Sequence, residues 1–136
     1  MIGHGSFGQV IKARHRETKQ LVAIKMITFD HTEMNTYRPV IREISILRQL
    51  SRMKGNVFTT KLYDVIIPPE DEPLNRVFIV MECIDFSLKD LLQQETEEFS
   101  KEHTTIIVYN LLCALNFVHS AGLMHRDLKP ANILIN

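Results

Sequence analysis

The chain has few of the features that mark disulfide-rich, zinc-binding or membrane-spanning proteins. It contains no tryptophan and only two cysteines, Cys83 and Cys113, far apart in the sequence. Two isolated cysteines cannot form the disulfide framework of a small secreted domain, so we expect reduced thiols and a cytosolic or nuclear location. The six histidines lack the short pairings of a zinc site, and no apolar run is long enough to span a bilayer.

An excess of charge of either sign is also missing. Sixteen Lys and Arg residues balance sixteen Asp and Glu residues, so the net charge predicts neither nucleic acid nor a membrane surface as a partner. A hydrophobic content of 45% is ordinary for a globular chain, and 136 residues leave room for about one domain.

Glycine is scarce, but three of the five glycines stand close together near the start of the chain. They form a G-x-G-x-x-G-x-V pattern, Gly3-His4-Gly5-Ser6-Phe7-Gly8-Gln9-Val10. Glycines allow the backbone to turn sharply and to approach phosphate oxygens closely. A dinucleotide-binding fold has a similar pattern, but there a helix follows, whereas here a β-branched run follows Gly8. A merely structural hairpin remains an alternative for this motif taken alone.

Strands are predicted on both sides of a helix in the first part of the chain. Apolar and β-branched runs at 9–14 and Leu21–Thr28 predict an antiparallel hairpin, and 60–67 and Arg76–Glu82 predict two more strands. A helix is predicted from Pro39 to near Gly55, because apolar residues recur there at three- and four-residue steps: Val40, Ile44, Leu47 and Leu50.

Two charged residues interrupt these apolar patterns. Lys25 lies in the apolar strand segment Val22-Ala23-Ile24-Lys25, and Glu43 lies on the apolar side of the predicted helix. Each could simply reach water at the edge of the core. An ion pair between Lys25 and Glu43 explains both positions at once, and it would direct the ammonium group towards the phosphates of a nucleotide.

The second part of the chain is predicted to be helical. Ser87 with Asp90 forms a capping pair, and Ser100 caps a longer helix that stops at Gly122. One face of that helix carries Ile107, Leu111, Ala114, Leu115 and Val118. A strand-rich part followed by a helical part predicts an α+β fold with two lobes joined near residues 82–86.

A segment near the end of the chain, His125-Arg126-Asp127-Leu128-Lys129-Pro130-Ala131-Asn132, has the spacing of a catalytic loop for phosphoryl transfer. Asp127 would accept or orient the proton of the attacking hydroxyl, and Lys129 would meet the γ-phosphate. Asn132 would offer a neutral oxygen to Mg²⁺, and Arg126 would hold the shape of the loop. A polar loop that only closes a helix is the alternative.

The glycine loop, strand lysine, helical glutamate and catalytic loop occur in one order and together resemble the eukaryotic protein kinases over essentially the whole chain. The lysine at position 129 resembles the residue that serine/threonine kinases carry at this place in the loop. The segments 62–69 and 109–122 are similar to mitogen-activated protein kinases. The resemblance implies ATP and Mg²⁺ as cofactors, and protein substrates and an upstream activating kinase as partners. It implies an N-lobe at 1–82, a hinge at 83–87 and the start of a C-lobe at 88–136.

The resemblance also implies further nucleotide contacts. Met81 takes the gatekeeper position, while Glu82 and Ile84 would offer backbone hydrogen bonds to adenine. The adenine ring would be sandwiched by Ile2, Val10 and Ala23. The tip of the glycine loop would be closed over the phosphates by Phe7.

The family's Asp-Phe-Gly segment does not occur in these 136 residues. We therefore expect the intact parent to be an ATP-dependent serine/threonine kinase and this piece alone to be inactive. The alternative is a non-catalytic module that binds nucleotide or protein partners. A nicotinamide oxidoreductase would require a helix directly after Gly8.

Overall fold

The computed structural model describes residues 3–5, 8–29, 37–94 and 100–135. The predicted contacts of Ile2, Ser6 and Phe7 lie outside the described residues. The chain divides into two compact units. Unit 1 comprises residues 1–55 and 60–83, and unit 2 comprises residues 56–59 and 84–136.

Unit 1 is built on a five-stranded antiparallel sheet with the strand order β1-β2-β3-β5-β4. The strands are β1 (Gly3–Gly5), β2 (Gly8–Arg14), β3 (Leu21–Thr28), β4 (Leu62–Ile66) and β5 (Arg76–Glu82). All four predicted strands are present, and β4 is shorter than the predicted 60–67. The glycine segment forms the β1–β2 hairpin, with Gly5 opposite Gly8.

Gly8 is required by the packing of this hairpin. Its φ is 123°, a conformation that L side chains rarely adopt, and an added Cβ would lie 2.1 Å from the carbonyl oxygen of Met26 on β3. Because that obstacle is backbone, it cannot move aside without disturbing the β2–β3 pairing.

Helix α1 (Tyr37–Arg52) packs one face against the sheet. The core consists of Ile27, Val40, Val77 and Ile79, and Ile79 is completely buried. The apolar periodicity predicted this helix, which begins two residues before Pro39 and ends at Arg52 rather than at Gly55. Burial of the apolar stripe of α1 against the sheet is the main source of the stability of this helix.

Strand β4 lies at one edge of the sheet, and two of its N–H groups bond to side chains instead of another strand. Leu62 donates its N–H to Ser51 Oγ of α1 at 2.8 Å, and Val65 donates to Asp64 Oδ1 at 2.8 Å. The first bond connects the end of α1 to the start of β4. Together these bonds make the edge less available to a foreign strand.

Unit 2 contains helices α2 (Leu88–Gln93) and α3 (Lys101–Ser120), a 3₁₀ turn at Pro130–Asn132, and the strand pair β6 (Phe86–Ser87) and β7 (Leu134–Ile135). Both predicted caps are present. Ser87 Oγ accepts from the N–H of Asp90, whose carboxylate accepts from Ser87, and Ser100 Oγ accepts from the N–H of His103. The hydrogen bonds from Ser87 lower the pKa of Asp90.

Helix α3 is apolar on more than one side. The predicted stripe from Ile107 to Val118 is half-buried, whereas Ile106, Tyr109 and Leu112 on other faces are more than half exposed. Ring packing of Phe117 on Phe58, with centroids 5.6 Å apart, contributes to the covered side. Within the described part of the chain, no helix has the length and apolarity to cross a membrane.

The geometry at Gly8 predicts a large cost for a side chain there. We expect Gly8→Ala to lower the free energy of unfolding by about 3 kcal/mol, because a backbone clash adds to an unfavourable φ. Gly55→Ala is the control, since Gly55 also has a positive φ of 74° but open space around it, and should cost about 1 kcal/mol. Urea unfolding followed by circular dichroism measures both, and equal losses would contradict the proposed clash.

Candidate active site

The predicted ion pair between Lys25 and Glu43 is present in unit 1. Lys25 Nζ lies 2.6 Å from Glu43 Oε1, and the two side chains are 17% and 33% exposed. Lys25 is on β3, opposite Val10 on one side and Ile79 on the other. The structure therefore excludes the alternative in which each residue simply reaches water.

Strand and helix periodicity explain why this pair forms. Lys25 lies on the same face of β3 as Ala23 and Ile27, and this face packs against α1. On α1, Glu43 directly precedes Ile44, which packs against the same core. A half-buried carboxylate and a half-buried ammonium each need a counter-charge. The pair supplies it while tying α1 to β3.

The apolar residues implied for adenine binding lie on the same sheet. Ala23 is buried and pairs with Met81, which packs against the unit 1 core, and Val10 is half-buried on β2. Glu82 donates its N–H to Lys61 O at 2.9 Å, so only its carbonyl could serve adenine. Ile84 follows in unit 2 and is half-buried.

The residues of the predicted catalytic loop form a compact polar network in unit 2. Lys129 Nζ lies 2.8 Å from Asp127 Oδ2, and the Asn132 amide nitrogen donates to the same oxygen at 3.0 Å and to the Asp127 carbonyl at 2.8 Å. Asp127 and Lys129 are both more than half exposed. Both contacts fall on Oδ2, and the other carboxylate oxygen makes no hydrogen bond within the described residues.

The network favours the ionised form of the Asp127 carboxyl. The hydrogen bond from Lys129 is the main cause that lowers the pKa of Asp127 below its ordinary 3.8. Desolvation opposes it to a smaller extent, and the hydrogen bond from Asn132 lowers the pKa further. A lowered pKa means that the carboxylate and its contacts persist through neutral pH. They are lost only as pH falls through the lowered value.

The backbone at Arg126 is unusual. Its φ is 65°, in the left-handed region that is uncommon for a non-glycine residue and often found at functional sites. The Arg126 side chain is exposed and has no hydrogen bond or ion pair in the described part of the chain. The loop is instead held by Asn132 and by the Asp127 N–H, which donates to His125 Nδ1 at 3.3 Å.

Asn132 keeps its side-chain oxygen available for a hard cation, because both of its bonds to Asp127 use the amide nitrogen. Its role as a Mg²⁺ ligand thus fits the donor set. Among the described residues, no group of three or more His, Cys, Asp or Glu side chains could hold a metal ion. Cys83 and Cys113 form no disulfide.

The sequence profile of the protein kinase domain matches residues 1–136 of the chain. The chain belongs to the protein kinase domain family. Its strand-rich unit with one long helix is the N-terminal part of the protein kinase fold, and unit 2 carries the beginning of the helical part.

Several plant mitogen-activated protein kinases are similar to this chain. Mitogen-activated protein kinase homolog MMK2 of Medicago sativa is 38% identical over 135 residues, which cover 99% of this chain and 35% of the relative. Mitogen-activated protein kinase 4 of Arabidopsis thaliana is 37% identical and mitogen-activated protein kinase 5 of Oryza sativa subsp. indica is 36% identical, with the same coverage. The chain thus spans about a third of the length of these protein kinases.

The sequence predicted neither the contacts within the predicted catalytic loop nor the bond that joins α1 to β4. The bond from the Asp127 N–H to His125 Nδ1 accompanies the positive φ at Arg126, and an arginine at that position does not predict a positive φ. The bond from Leu62 to Ser51 joins residues whose proximity depends on how α1 packs. A serine on the half-buried side of an amphipathic helix was the available signal for the second.

The pKa of Asp127 gives a direct test of the loop network. We expect the pKa to lie below 3.8 and to rise in Lys129→Met, because the principal cause of its depression is removed. The carboxyl carbon NMR shift of Asp127 followed against pH measures it, and Lys101→Met, at the start of α3, is the control. A pKa unchanged by Lys129→Met would contradict the assigned cause.

Proposed function

We propose that the complete protein is an ATP-dependent protein serine/threonine kinase of the mitogen-activated type, which transfers the γ-phosphoryl group of ATP to hydroxyl groups of protein substrates. The observation that carries the proposal is the Asp127 carboxylate, which Lys129 and Asn132 hold through one oxygen. The other oxygen is left to act on a substrate hydroxyl.

Asp127 acts as the base in this proposal. Its Oδ1 accepts the proton of the substrate serine or threonine hydroxyl as that oxygen bonds to the γ-phosphorus. The bond between that phosphorus and the bridging oxygen breaks, and ADP leaves with the electron pair. A carboxyl group with a pKa below 3.8 is charged throughout the neutral range, so Asp127 can accept a hydrogen bond there.

The two lysines stabilise negative charge at different phosphates. Lys25, oriented by Glu43 at 2.6 Å, meets the α- and β-phosphates. Lys129 meets the γ-phosphate, and its long, half-exposed side chain can do so while it stays close to Asp127. Backbone N–H groups of the glycine hairpin add neutral donors to the phosphates. Val10, Ala23 and Met81 offer apolar contacts to adenine.

Asn132 would hold Mg²⁺ through its side-chain oxygen, and bound Mg²⁺ supplies positive charge that offsets the charge of the phosphates. Asn132 has a second task that needs no metal, because its amide nitrogen fixes the orientation of the Asp127 carboxylate. The same residue therefore links metal binding to the position of the base.

The mitogen-activated subgroup is favoured by the similarity to plant kinases of that name. From it we propose protein substrates, activation by an upstream kinase, and a cytoplasmic or nuclear location. We also propose that the 136 residues by themselves are inactive, because they cover only about a third of those relatives. A non-catalytic binding module is the other candidate, and the Asp127 variant described next separates the two.

Replacement of Asp127 tests the proposed base. We expect Asp127→Asn in the complete protein to lower kcat by about 10²- to 10⁴-fold with little change in the KM for ATP, because an amide cannot accept the proton. Asp71→Asn, which alters an exposed carboxylate in the turn before β5, is the matched control. Transfer of labelled phosphate to a generic protein substrate is the measurement, and equal activity of both variants would overturn the assignment.

A further inference from the structure

Helix α1 carries a concentration of positive charge that the neutral composition of the whole chain conceals. Between Tyr37 and Arg52 there are four arginines and a single acidic residue, Glu43. The charge of Glu43 is already matched by Lys25. The helix therefore presents the four arginines without a compensating acid of its own.

The four arginines share the side of the helix that faces away from the sheet. At about 100° per residue, Arg38, Arg42, Arg48 and Arg52 fall within about one third of the helix circumference. All four are exposed, and Val40 and Leu47 on the opposite side pack into the core or against it. Because fourteen residues separate the first from the last, the arginine stripe is about 21 Å long.

These guanidinium groups have no partner within the part of the chain that the structure describes. None of them forms an ion pair or a hydrogen bond there. Elsewhere, Arg76 is bonded to Glu72 at 2.8 Å and Arg14 to the Lys19 carbonyl at 3.0 Å. Arg38 with Arg42, and Arg48 with Arg52, are like-charge pairs at i,i+4 spacing, so a ligand of opposite charge would relieve an existing cost.

A pocket lies at the C-terminal end of this stripe, within unit 1. Its volume is about 310 Å³, enough for one acidic side chain, and it is lined by residues from the end of α1 and from β4: Arg48, Ser51, Arg52, Leu62, Tyr63, Asp64 and Val65. Ser51 Oγ accepts from Leu62, so the hydroxyl proton of Ser51 is still available to donate.

We propose that the arginine stripe of α1 is a docking surface for an acidic segment of a partner protein, with one glutamate or aspartate side chain of the partner bound in the α1–β4 pocket. Arg48 and Arg52 offer paired N–H donors, whose geometry matches a carboxylate. The proposal is independent of the kinase activity.

The charge of the pocket favours a carboxylate over a phosphate. Asp64 also lines the pocket, so two guanidinium groups and one carboxylate leave a single net positive charge. One carboxylate neutralises that charge, whereas a phosphate dianion would exceed it. Asp64 is oriented towards the backbone, since its Oδ1 accepts from the Val65 N–H, and it forms no ion pair with either arginine. The neutral chain as a whole gives polyanions no general attraction.

Binding of a fluorescein-labelled glutamate-rich peptide to the complete protein, measured by fluorescence anisotropy, tests this surface. We expect Arg48→Gln/Arg52→Gln to weaken binding about tenfold, and the affinity to fall as ionic strength rises. Asp64→Asn should strengthen binding about twofold, because it removes the opposing charge and keeps an oxygen for Val65. This second variant gives a change of opposite sign that misfolding could not produce.

The matched control is Arg16→Gln/Lys19→Gln, which removes two positive charges from the β2–β3 turn of the same unit. We expect that control to bind like the unchanged protein. Equal weakening by both double variants would show a general charge effect and overturn the proposal. It would also be overturned if a glutamine-rich peptide, a phosphoserine peptide, single-stranded RNA or vesicles containing phosphatidylserine bound more tightly than the glutamate-rich peptide.

Discussion

The ion pair between Lys25 and Glu43 is the interaction on which the arrangement of unit 1 depends. It joins the central strand of the sheet to the only helix of unit 1 in the described residues, through two side chains that are both largely withdrawn from water. Removing Lys25 leaves the Glu43 carboxylate half-buried without this ion pair, which costs more than the loss of an exposed pair. The position of α1 and the direction of the Lys25 ammonium group are therefore set together.

Polar side chains in this protein are repeatedly used for two purposes at once. Glu43 neutralises Lys25 and anchors α1. Asn132 orients Asp127 through its amide nitrogen, and those bonds leave its side-chain oxygen for another contact. Ser51 joins α1 to β4 while it retains a donor. Such double use is economical because each group has more than one hydrogen-bonding site. It also means that a single substitution changes both the local fold and the chemistry.

Much of the fold could be predicted from the sequence because its signals are local. Strand β3 and helix α1 follow apolar periodicity, and the caps at Ser87 and Ser100 follow from residue type. The Lys25–Glu43 pair was predictable for a different reason, because two charges in apolar stripes each required a partner. The catalytic loop was predicted from residue types at fixed spacing in the segment 125–132.

Other features depend on contacts between distant segments and could not be predicted. The clash that makes Gly8 necessary involves the Met26 carbonyl of the next strand, so it depends on register rather than on residue type. The choice of the Asn132 nitrogen for Asp127 depends on the turn at Pro130. The α1–β4 pocket exists because the end of a helix meets an edge strand, which no local pattern specifies.

The most direct test of the central claim is a double-mutant cycle on Lys25 and Glu43, with kcat/KM for ATP measured in the complete protein. If Glu43 acts by orienting Lys25, the combined variant Lys25→Met/Glu43→Gln will be within about twofold of Lys25→Met alone, because the carboxylate has no further role once the ammonium is gone. Independent, multiplying losses, or full activity of Glu43→Gln, would contradict this account.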